Sequence, residues 1–356
     1  MIRTISADLL AEFACTHAVI DVRSPSEYAN GHIPGAHSVP LFSDQQRAVV
    51  GTLYVQKGKE EAIRTGLEIV GSQLADFVAA IAQAAPTKKI LVYCWRGGMR
   101  SKSVASLLDS LGYDTAQLIG GYKAMRAYNR TMFETVQKYV IISGKTGSGK
   151  TILLKKLAQQ GEQVVDLEGL ARHKGSVFGF FGQTQPQPTQ EQFENDLGWA
   201  LIHARTDRTI WLEDESRMIG RCSLPEGLWP HMQQAPRIVI EVPEHTRRTA
   251  LITEYGAMPH DQLISTIERL SRHVGSERTA HMLKHITELD VILDELLKHY
   301  DKTYTFSAER RKKNYPHVAE HTFILEDISN LKTISDLISL ARTIYSSKYT
   351  PLSEHP

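Results

Sequence analysis

Short runs of consecutive apolar residues alternate along this chain with stretches in which apolar residues recur at helical spacing. The runs that predict strands are residues 18–23, 90–93, 116–119, 139–142, 163–166, 209–212 and 237–242. Helical spacing predicts helices over 74–84 and 101–111, and it dominates from about residue 244. Nearly continuous apolar runs are typical of parallel strands that are covered on both faces. The pattern therefore predicts an α/β protein.

The strand at 139–142 leads directly into Gly-Lys-Thr-Gly-Ser-Gly-Lys-Thr at 144–151 and then into a helix. This is the P-loop pattern in the strand, loop and helix order that it requires. Loop amides are predicted to hold adjacent phosphates, while Lys150 reaches the terminal phosphate and the Thr151 hydroxyl binds Mg²⁺. The predicted phosphate-binding residues are Gly144, Gly147, Ser148, Gly149, Lys150 and Thr151.

A lone thiol, Cys94, lies between the strand at 90–93 and the helix at 101–111. Loop amides, the positive end of the helix, Arg96 and Arg100 all favour an anion, so Cys94 is predicted to be a thiolate. The alternative is an inert, buried structural cysteine. We predict Cys94, Arg96 and Arg100 as catalytic residues. The remaining members of the predicted anion loop are Gly97, Gly98 and Ser101.

Three other features have two interpretations each. Asp21, Arg23 and Glu27 are predicted to fix the loop around Gly31 by ion pairing rather than to act in catalysis. Residues 41–70 are either an inserted helical pair or a cover on the Cys94 loop. The candidates for Mg²⁺ binding or acid–base chemistry are Asp166, Asp214 in preference to the neighbouring Glu213, and His173. The alternatives are a solvated acidic turn at residues 213–214 and a solvent-facing side chain for His173.

The 356 residues carry a formal net charge of +1, so a nucleic-acid contact would need a local basic face. The sharpest basic cluster is Arg310, Arg311, Lys312 and Lys313. Three cysteines at wide spacing argue against a disulfide framework. No apolar run approaches the roughly 18 residues of a membrane span, and the N-terminus lacks an apolar signal region. We predict a cytoplasmic protein with no membrane contact and no tightly bound cofactor, with Mg²⁺ as the one ion that the candidate residues could bind.

The motifs also resemble known families. Asp-Val-Arg-Ser-Pro-Ser-Glu-Tyr at 21–28, Gly-His-Ile-Pro-Gly-Ala at 31–36 and the Cys94 loop resemble a rhodanese-type domain. We assign residues 1–128 to this rhodanese-like domain, 129–137 to a connecting helix, 138–243 to the core of a P-loop domain with a doubly wound sheet, and 244–356 to a helical region that completes it. Five residues rather than the usual four separate Cys94 from Arg100, which resembles the phosphatase-like variants of the fold that hold a tetrahedral phosphate.

The pairing of the two domains resembles the bacterial tRNA 2-selenouridine synthases over essentially the full length. The resemblance implies an enzyme that replaces sulfur by selenium at the 2-position of the wobble uridine in tRNA. It also implies selenophosphate as selenium donor and a geranylated thiouridine intermediate made from geranyl diphosphate. Whether Cys94 forms a selenium adduct or only positions the donor stays open, as does the choice between geranyl diphosphate and a nucleotide for the P-loop.

Two other functions fit the same motifs. One is an ATP- or GTP-dependent tRNA sulfurtransferase or kinase with a rhodanese sulfur relay. The other is a nucleotide-switched RNA-binding module with a regulatory rhodanese domain, which the intact Cys94 loop disfavours.

Overall fold

The computed structural model describes residues 2–175, 179–256, 258–325 and 331–346. The described strands are β1 Arg3–Ile5, β2 Ala18–Asp21, β3 His37–Ser38, β4 Lys89–Tyr93, β5 Asp114–Leu118, β6 Tyr139–Ser143, β7 Gln163–Val164, β8 Ile210–Glu213, β9 Met218–Ile219, β10 Cys222–Ser223, β11 Arg237–Glu241 and β12 Glu320–Ile324. The described α-helices are α1 Leu10–Ala14, α2 Pro25–Asn30, α3 Asp44–Gln56, α4 Lys59–Ala84, α5 Met99–Ser110, α6 Gly121–Glu134, α7 Lys150–Gln159, α8 Leu167–Ala171, α9 Gln190–His203, α10 Leu228–Gln234, α11 Glu244–Tyr255, α12 His260–Val274, α13 Ser276–Lys284, α14 Leu289–Asn314 and α15 Leu331–Ser346.

The chain divides into two compact units. The first comprises residues 1–133 together with 189–203, and the second comprises residues 134–188 and 204–356.

A parallel five-stranded sheet in the order β1-β5-β4-β2-β3 forms the first unit. Successive residues of the central strand β4 point to opposite faces, as the two-residue period of a strand requires. Ile90 and Val92 enter one hydrophobic cluster, whereas Leu91 and Tyr93 enter the other. Both faces of the sheet are therefore covered, which confirms the predicted α/β fold for this part of the chain.

The first unit includes a helix from far along the chain. Helix α9 lies inside the range 138–243 that the sequence assigned to the P-loop core, yet it clusters with the first unit. Its Asn195 donates to the Tyr122 hydroxyl over 2.7 Å and to the His32 carbonyl over 3.0 Å. Arg126 of α6 donates in turn to Glu194. Helical spacing in the sequence did not indicate that α9 belongs to the first unit. It reports only local structure, whereas these contacts join residues more than 60 positions apart.

The helices of the first unit include two segments to which the sequence gave other boundaries. Residues 129–134 of the predicted connecting helix form the end of α6, whose Tyr122, Met125, Asn129 and Phe133 are buried within this unit. Residues 41–70 belong to a helical pair, α3 and α4, which contact each other extensively.

Helix α4 is the one described helix that is long and apolar enough to cross a membrane by length and composition. Its Phe77 and Ile81 are buried in the core of the first unit. A core helix passes the same test of length and composition, so the finding is weak evidence for a span.

The second unit has a parallel sheet in the order β12-β11-β6-β8-β7. Strand β6, which precedes the P-loop, is central and pairs with both β11 and β8. Helices α7 and α15 share one hydrophobic cluster with this sheet, which includes Leu153, Leu157, Ile334 and Leu337. Strand β12 shows that the C-terminal region completes this sheet, as predicted, although it does so with a strand as well as with helices.

Candidate active sites

The Cys94 loop is held by the segment that follows β5. The Cys94 carbonyl accepts from the Tyr122 amide over 2.9 Å, and the Trp95 carbonyl accepts from the Lys123 amide over 3.0 Å. Gly97 and Gly121 have φ values of +63° and +58°, and a Cβ atom on Gly121 would lie 2.1 Å from the Cys94 carbonyl oxygen. Only glycine allows the two segments to approach so closely.

The loop presents unpaired donors. Among the described residues, no acceptor is hydrogen-bonded to the backbone N–H groups of residues 95–100. Cys94 is buried at the carboxyl end of β4, where the first turn of α5 begins. Consecutive free amides at a helix N-terminus favour an anion, so the geometry fits the predicted anion loop.

Ser101 lies against the thiol. Its Oγ is 3.2 Å from Cys94 Sγ and accepts a hydrogen bond from Gln117 Nε2 over 2.9 Å. Because Gln117 uses an acceptor site of the hydroxyl, the single Ser101 proton is left for the sulfur or for the Gly98 carbonyl at 3.3 Å. Ser101 can therefore stabilise a thiolate at Cys94 by donating to it.

The two predicted arginines are in different environments. Arg96 is exposed, whereas Arg100 donates to both oxygens of Glu27, over 2.8 and 3.4 Å. Burial alone would raise the pKa of Glu27, but hydrogen bonds from Arg100 and the Ser24 amide, together with the charge of Arg47, hold it below its ordinary value. Glu27 is therefore an anion that fixes the Arg100 guanidinium at the mouth of α5.

The Asp21 and Arg23 pair confirms its predicted structural role. Both side chains are fully buried, and Arg23 donates to both Asp21 oxygens and, over 2.6 Å, to the Gly31 carbonyl. The Tyr93 hydroxyl donates to Asp21 as well. The pair thus fixes the loop around Gly31 and does not face an open site.

Replacing Arg100 by lysine keeps the charge but removes the planar fork that Glu27 holds. We expect the affinity of the loop for a tetrahedral anion to fall by at least about tenfold, the effect of one charge-assisted hydrogen bond. Titration with inorganic phosphate would measure it, with Arg130→Lys on the exposed side of α6 as the control. Equal affinities for Arg100→Lys and the wild type would show that the loop needs only positive charge.

The P-loop connects β6 to α7 in the second unit. Lys150 Nζ donates to the Gly144 carbonyl over 2.9 Å, and Thr151 Oγ donates to Glu168 over 3.1 Å. A cavity of about 270 Å³ adjoins Gly144 and Lys145, with Arg247 and Tyr304 in its wall. Arg247 donates to the Thr146 carbonyl and to both Asp301 oxygens, so it braces the loop.

Three carboxyl groups lie next to this loop, and of these the sequence singled out only Glu213, as the alternative to Asp214. Glu213 ends β8 and accepts from the Glu168 amide, and Glu168 in turn accepts from Thr151. Burial and then the charge of Glu168 raise the pKa of Glu215 to about 8, and burial raises the pKa of Glu168 against the opposing effect of Lys150. Desolvation also keeps the pKa of Glu213 well above its ordinary value. The carboxyl oxygens of these acids are the kind of donor that Mg²⁺ prefers.

The acids preferred from the sequence, Asp214 and Asp166, are engaged with other partners. Asp214 accepts from Ser143 and pairs with Arg311, whose Nη2 lies 3.1 Å from its carboxylate, so its charge is already neutralised. Asp166 caps α8 by accepting from the Gly169 amide over 2.7 Å. Within the described residues, no group of three or more His, Cys, Asp or Glu side chains is arranged to hold a metal ion on its own.

His173 is half-buried rather than solvent-facing, and burial lowers its pKa. It is therefore neutral at pH 7. The glycine-rich stretch that contains it continues through residues 176–178, which lie outside the described residues.

The basic cluster at the end of α14 is divided by ion pairs. Arg311 is paired with Asp214, and Lys312 Nζ lies 2.9 Å from Glu320. Arg310 and Lys313 are exposed. Of the four predicted tRNA contacts, Arg310 and Lys313 are therefore the two that are exposed and that form no ion pair with another described residue.

Comparisons with known proteins agree with this two-part architecture. Residues 6–128 match the family model described as a rhodanese-like domain, and residues 137–288 match the one described as the tRNA 2-selenouridine synthase AAA domain. A tRNA 2-selenouridine synthase from Marinobacter nauticus is 36% identical over 295 residues, which cover 76% of this chain and 79% of that protein. One from a Shewanella species is 32% identical over 368 residues, which cover 90% of this chain and 96% of that protein. The chain belongs to the tRNA 2-selenouridine synthase family.

Membership of the tRNA 2-selenouridine synthase family confirms the predicted enzyme class, a transferase that modifies tRNA with selenium. It also confirms the predicted order of a rhodanese-like domain followed by a P-loop domain. A further relative, from Shewanella loihica, is 39% identical over 282 residues, which cover 76% of this chain and 72% of that protein.

Proposed function

We propose that this protein replaces the sulfur of wobble 2-thiouridine in tRNA by selenium in two steps, using geranyl diphosphate and then selenophosphate. The observation that carries the proposal is the buried Cys94 thiol beside residues 95–100, whose backbone N–H groups have no hydrogen-bond acceptor among the described residues, in a chain that also has a P-loop. The first feature suits a tetrahedral selenium donor, and the second suits a diphosphate.

The first step creates a leaving group. The sulfur of 2-thiouridine attacks C1 of geranyl diphosphate, the C1–O bond breaks, and diphosphate departs with the bonding electrons. The base loses its N3 proton to water and becomes a neutral S-geranyl base. The P-loop amides and Lys150 would stabilise that developing charge. Mg²⁺ held through Thr151 and Glu168 would neutralise part of the diphosphate charge, and both side chains offer oxygen donors.

The second step exchanges sulfur for selenium without oxidation or reduction. The selenium of selenophosphate attacks C2 of the S-geranyl base, the C2–S bond breaks, and geranylthiolate leaves and takes a proton. The product of this attack carries a C2–Se–phosphoryl group. Attack of a nucleophile on phosphorus breaks its Se–P bond, and N3 takes up a proton to give 2-selenouridine.

Cys94 suits the cleavage of that Se–P bond. If Sγ attacks phosphorus, the selenium leaves with the bonding electrons and a phosphocysteine forms, which water then hydrolyses to phosphate. Ser101, 3.2 Å from Sγ, would stabilise the thiolate that departs in the hydrolysis. A Cys94–selenium bond would instead require a two-electron oxidant. The phosphatase-like spacing of five residues between Cys94 and Arg100 favours the phosphoryl route.

The test uses an anticodon stem-loop RNA that contains 2-thiouridine. The protein is incubated with the RNA and geranyl diphosphate, and then with selenophosphate, and the digested nucleosides are identified by mass spectrometry. Formation of S-geranyl-2-thiouridine and then of 2-selenouridine supports the proposal. ATP hydrolysis with no change in the nucleoside would favour the sulfurtransferase or kinase alternative.

Two exposed cations at the end of α14, Arg310 and Lys313, are proposed to contact tRNA phosphates. We expect the double substitution Arg310→Ala and Lys313→Ala to weaken tRNA binding. The slope of log K against the logarithm of salt concentration should also become less steep, by the amount that about two phosphate contacts contribute. Titrations of tRNA at several salt concentrations would measure the slope. A matched control is Lys298→Ala with Lys302→Ala, on exposed positions of the same helix. A wild-type slope in the first variant would assign Arg310 and Lys313 to solvated surface.

A further inference from the structure

The first unit contains a large apolar cavity that the fold alone does not require. Its volume is about 1050 Å³, at the upper end of the range for small-molecule sites. Helices α3, α4 and α5 form its walls, which include Phe42, Val70, Phe77, Val104 and Leu107. The cavity gives residues 41–70 a role that neither sequence interpretation supplied.

Apolar side chains at the edge of this cavity are exposed. Tyr54, Val55, Leu67 and Met99 line it with exposed fractions of 54%, 83%, 68% and 46%. Contiguous exposed apolar surface of this kind marks a binding site in a folded protein. Gly51 and Gly71 also line it, and a Cβ atom added to Gly51 would meet only Arg47 Nη1, at 3.9 Å. Such glycines destabilise a helix interior but leave the cavity open.

The cavity adjoins the Cys94 loop. Met99 and Arg100, the first two residues of α5, line it, and Cys94 packs in the same hydrophobic cluster as Phe42, Phe77 and Val104. A molecule bound here would thus have its apolar part between the helices and its reactive end at the loop.

The charges at this end favour a neutral reactive group over a diphosphate. Arg47 and Arg100 both line the cavity, but both face the Glu27 carboxylate, at 3.9 and 2.8 Å. That carboxylate offsets one of the two positive charges. A diphosphate would need more free cations than this, whereas a thioether needs none.

We propose that this cavity holds the prenyl chain of the S-alkylated nucleoside during selenium transfer. The inference rests on the proposed two-step function and adds where the intermediate binds. The chain anchors the leaving group between α3, α4 and α5, so that the C2–S bond that breaks lies at the Cys94 loop. Geranylthiol, the product of that cleavage, leaves from the same cavity.

The test compares anticodon stem-loop RNAs that carry S-geranyl-, S-dimethylallyl- or S-methyl-2-thiouridine. We expect the wild-type kcat/KM for conversion to selenouridine to fall by at least about 100-fold from the geranyl to the methyl RNA, because the methyl RNA loses the apolar surface that the cavity would bury. Gly51→Phe fills the cavity, and Leu67→Asp puts a charge at its edge without burying it. In both variants, the ratio of kcat/KM for the geranyl RNA to kcat/KM for the methyl RNA should fall to about threefold or less. The matched controls, Ser72→Phe on α4 and Leu111→Asp, change exposed residues outside the cavity and should keep the wild-type ratio.

Binding of the same RNAs, measured by fluorescence anisotropy without selenophosphate, separates this inference from the proposed reaction. A preference for the geranyl RNA that both cavity variants lose supports the site even if no RNA is converted. Conversion with an unchanged geranyl-to-methyl ratio in both variants overturns the site while leaving the reaction intact. Sedimentation of Gly51→Phe gives a further test. A particle mass different from that of the wild type, with the geranyl-to-methyl ratio unchanged, would also overturn the proposed prenyl site, because the surface would then be a contact between two copies of this chain.

Discussion

Replacement of Cys94 by serine is expected to lower the rate of selenium incorporation by at least about 10³-fold while leaving geranylation of the RNA intact. The serine hydroxyl is close in size to the thiol, so the buried site beside Ser101 is preserved. It is, however, neither ionised nor strongly nucleophilic at neutral pH. The variant should stop at the S-geranyl or the Se-phosphoryl nucleoside, which mass spectrometry of the digested RNA distinguishes.

Cys222→Ser is the control, since Cys222 is also a buried free cysteine and lies in the second unit. Selenophosphate labelled with ³²P adds a second measurement. Label on the wild-type protein, and none on Cys94→Ser, supports attack of the thiol on phosphorus. An undiminished yield of selenouridine in Cys94→Ser would remove Cys94 from the chemistry altogether.

Replacement of Lys150 by alanine is expected to block the other half of the reaction. Loss of one charged donor to the departing diphosphate should slow formation of the geranylated nucleoside by about 10²- to 10³-fold. An RNA supplied with S-geranyl-2-thiouridine should still be converted to selenouridine at the wild-type rate, because that step has no diphosphate leaving group. Timed digestion and mass spectrometry of both RNAs would measure the two rates separately.

Lys155→Ala, at an exposed position of α7, is the matched control for the loss of a lysine from this helix. Normal geranylation by Lys150→Ala with failed selenation would contradict the assignment of the P-loop to the prenyl diphosphate. An absolute ATP requirement for both steps would do the same. Either result would return the P-loop to nucleotide binding.

The two loops were predictable because each is a local feature. The apolar run at 90–93 and the glycines after Cys94 specify a strand, a tight loop and a helix within about 20 residues. The P-loop likewise lies between its own strand and helix. Hydrophobic periodicity and turn chemistry act over such distances, so the sequence carries their signal directly.

The partners of these loops were not predictable because they come from distant positions. Arg311 looks like a free cation in the sequence, yet it pairs with Asp214, 97 residues away. The same ion pair occupies Asp214, the acid that the sequence favours for Mg²⁺. No local pattern gives Glu168 a role at the P-loop, and only the fold places it beside Thr151. The cavity in the first unit also depends on how α3 and α4 pack against α5, which no local pattern specifies.

The path of the chain through α9 affects how the two units can be separated. The chain passes between units at residues 133–134, 188–189 and 203–204, so three covalent connections join them instead of one. A protease that cut any one of these connections would leave the units linked by the other two. A recombination event with a single crossover near residue 134 would likewise give a first unit without the helix that supplies Asn195. We therefore expect the two halves of this enzyme to be inherited together rather than exchanged as separate modules.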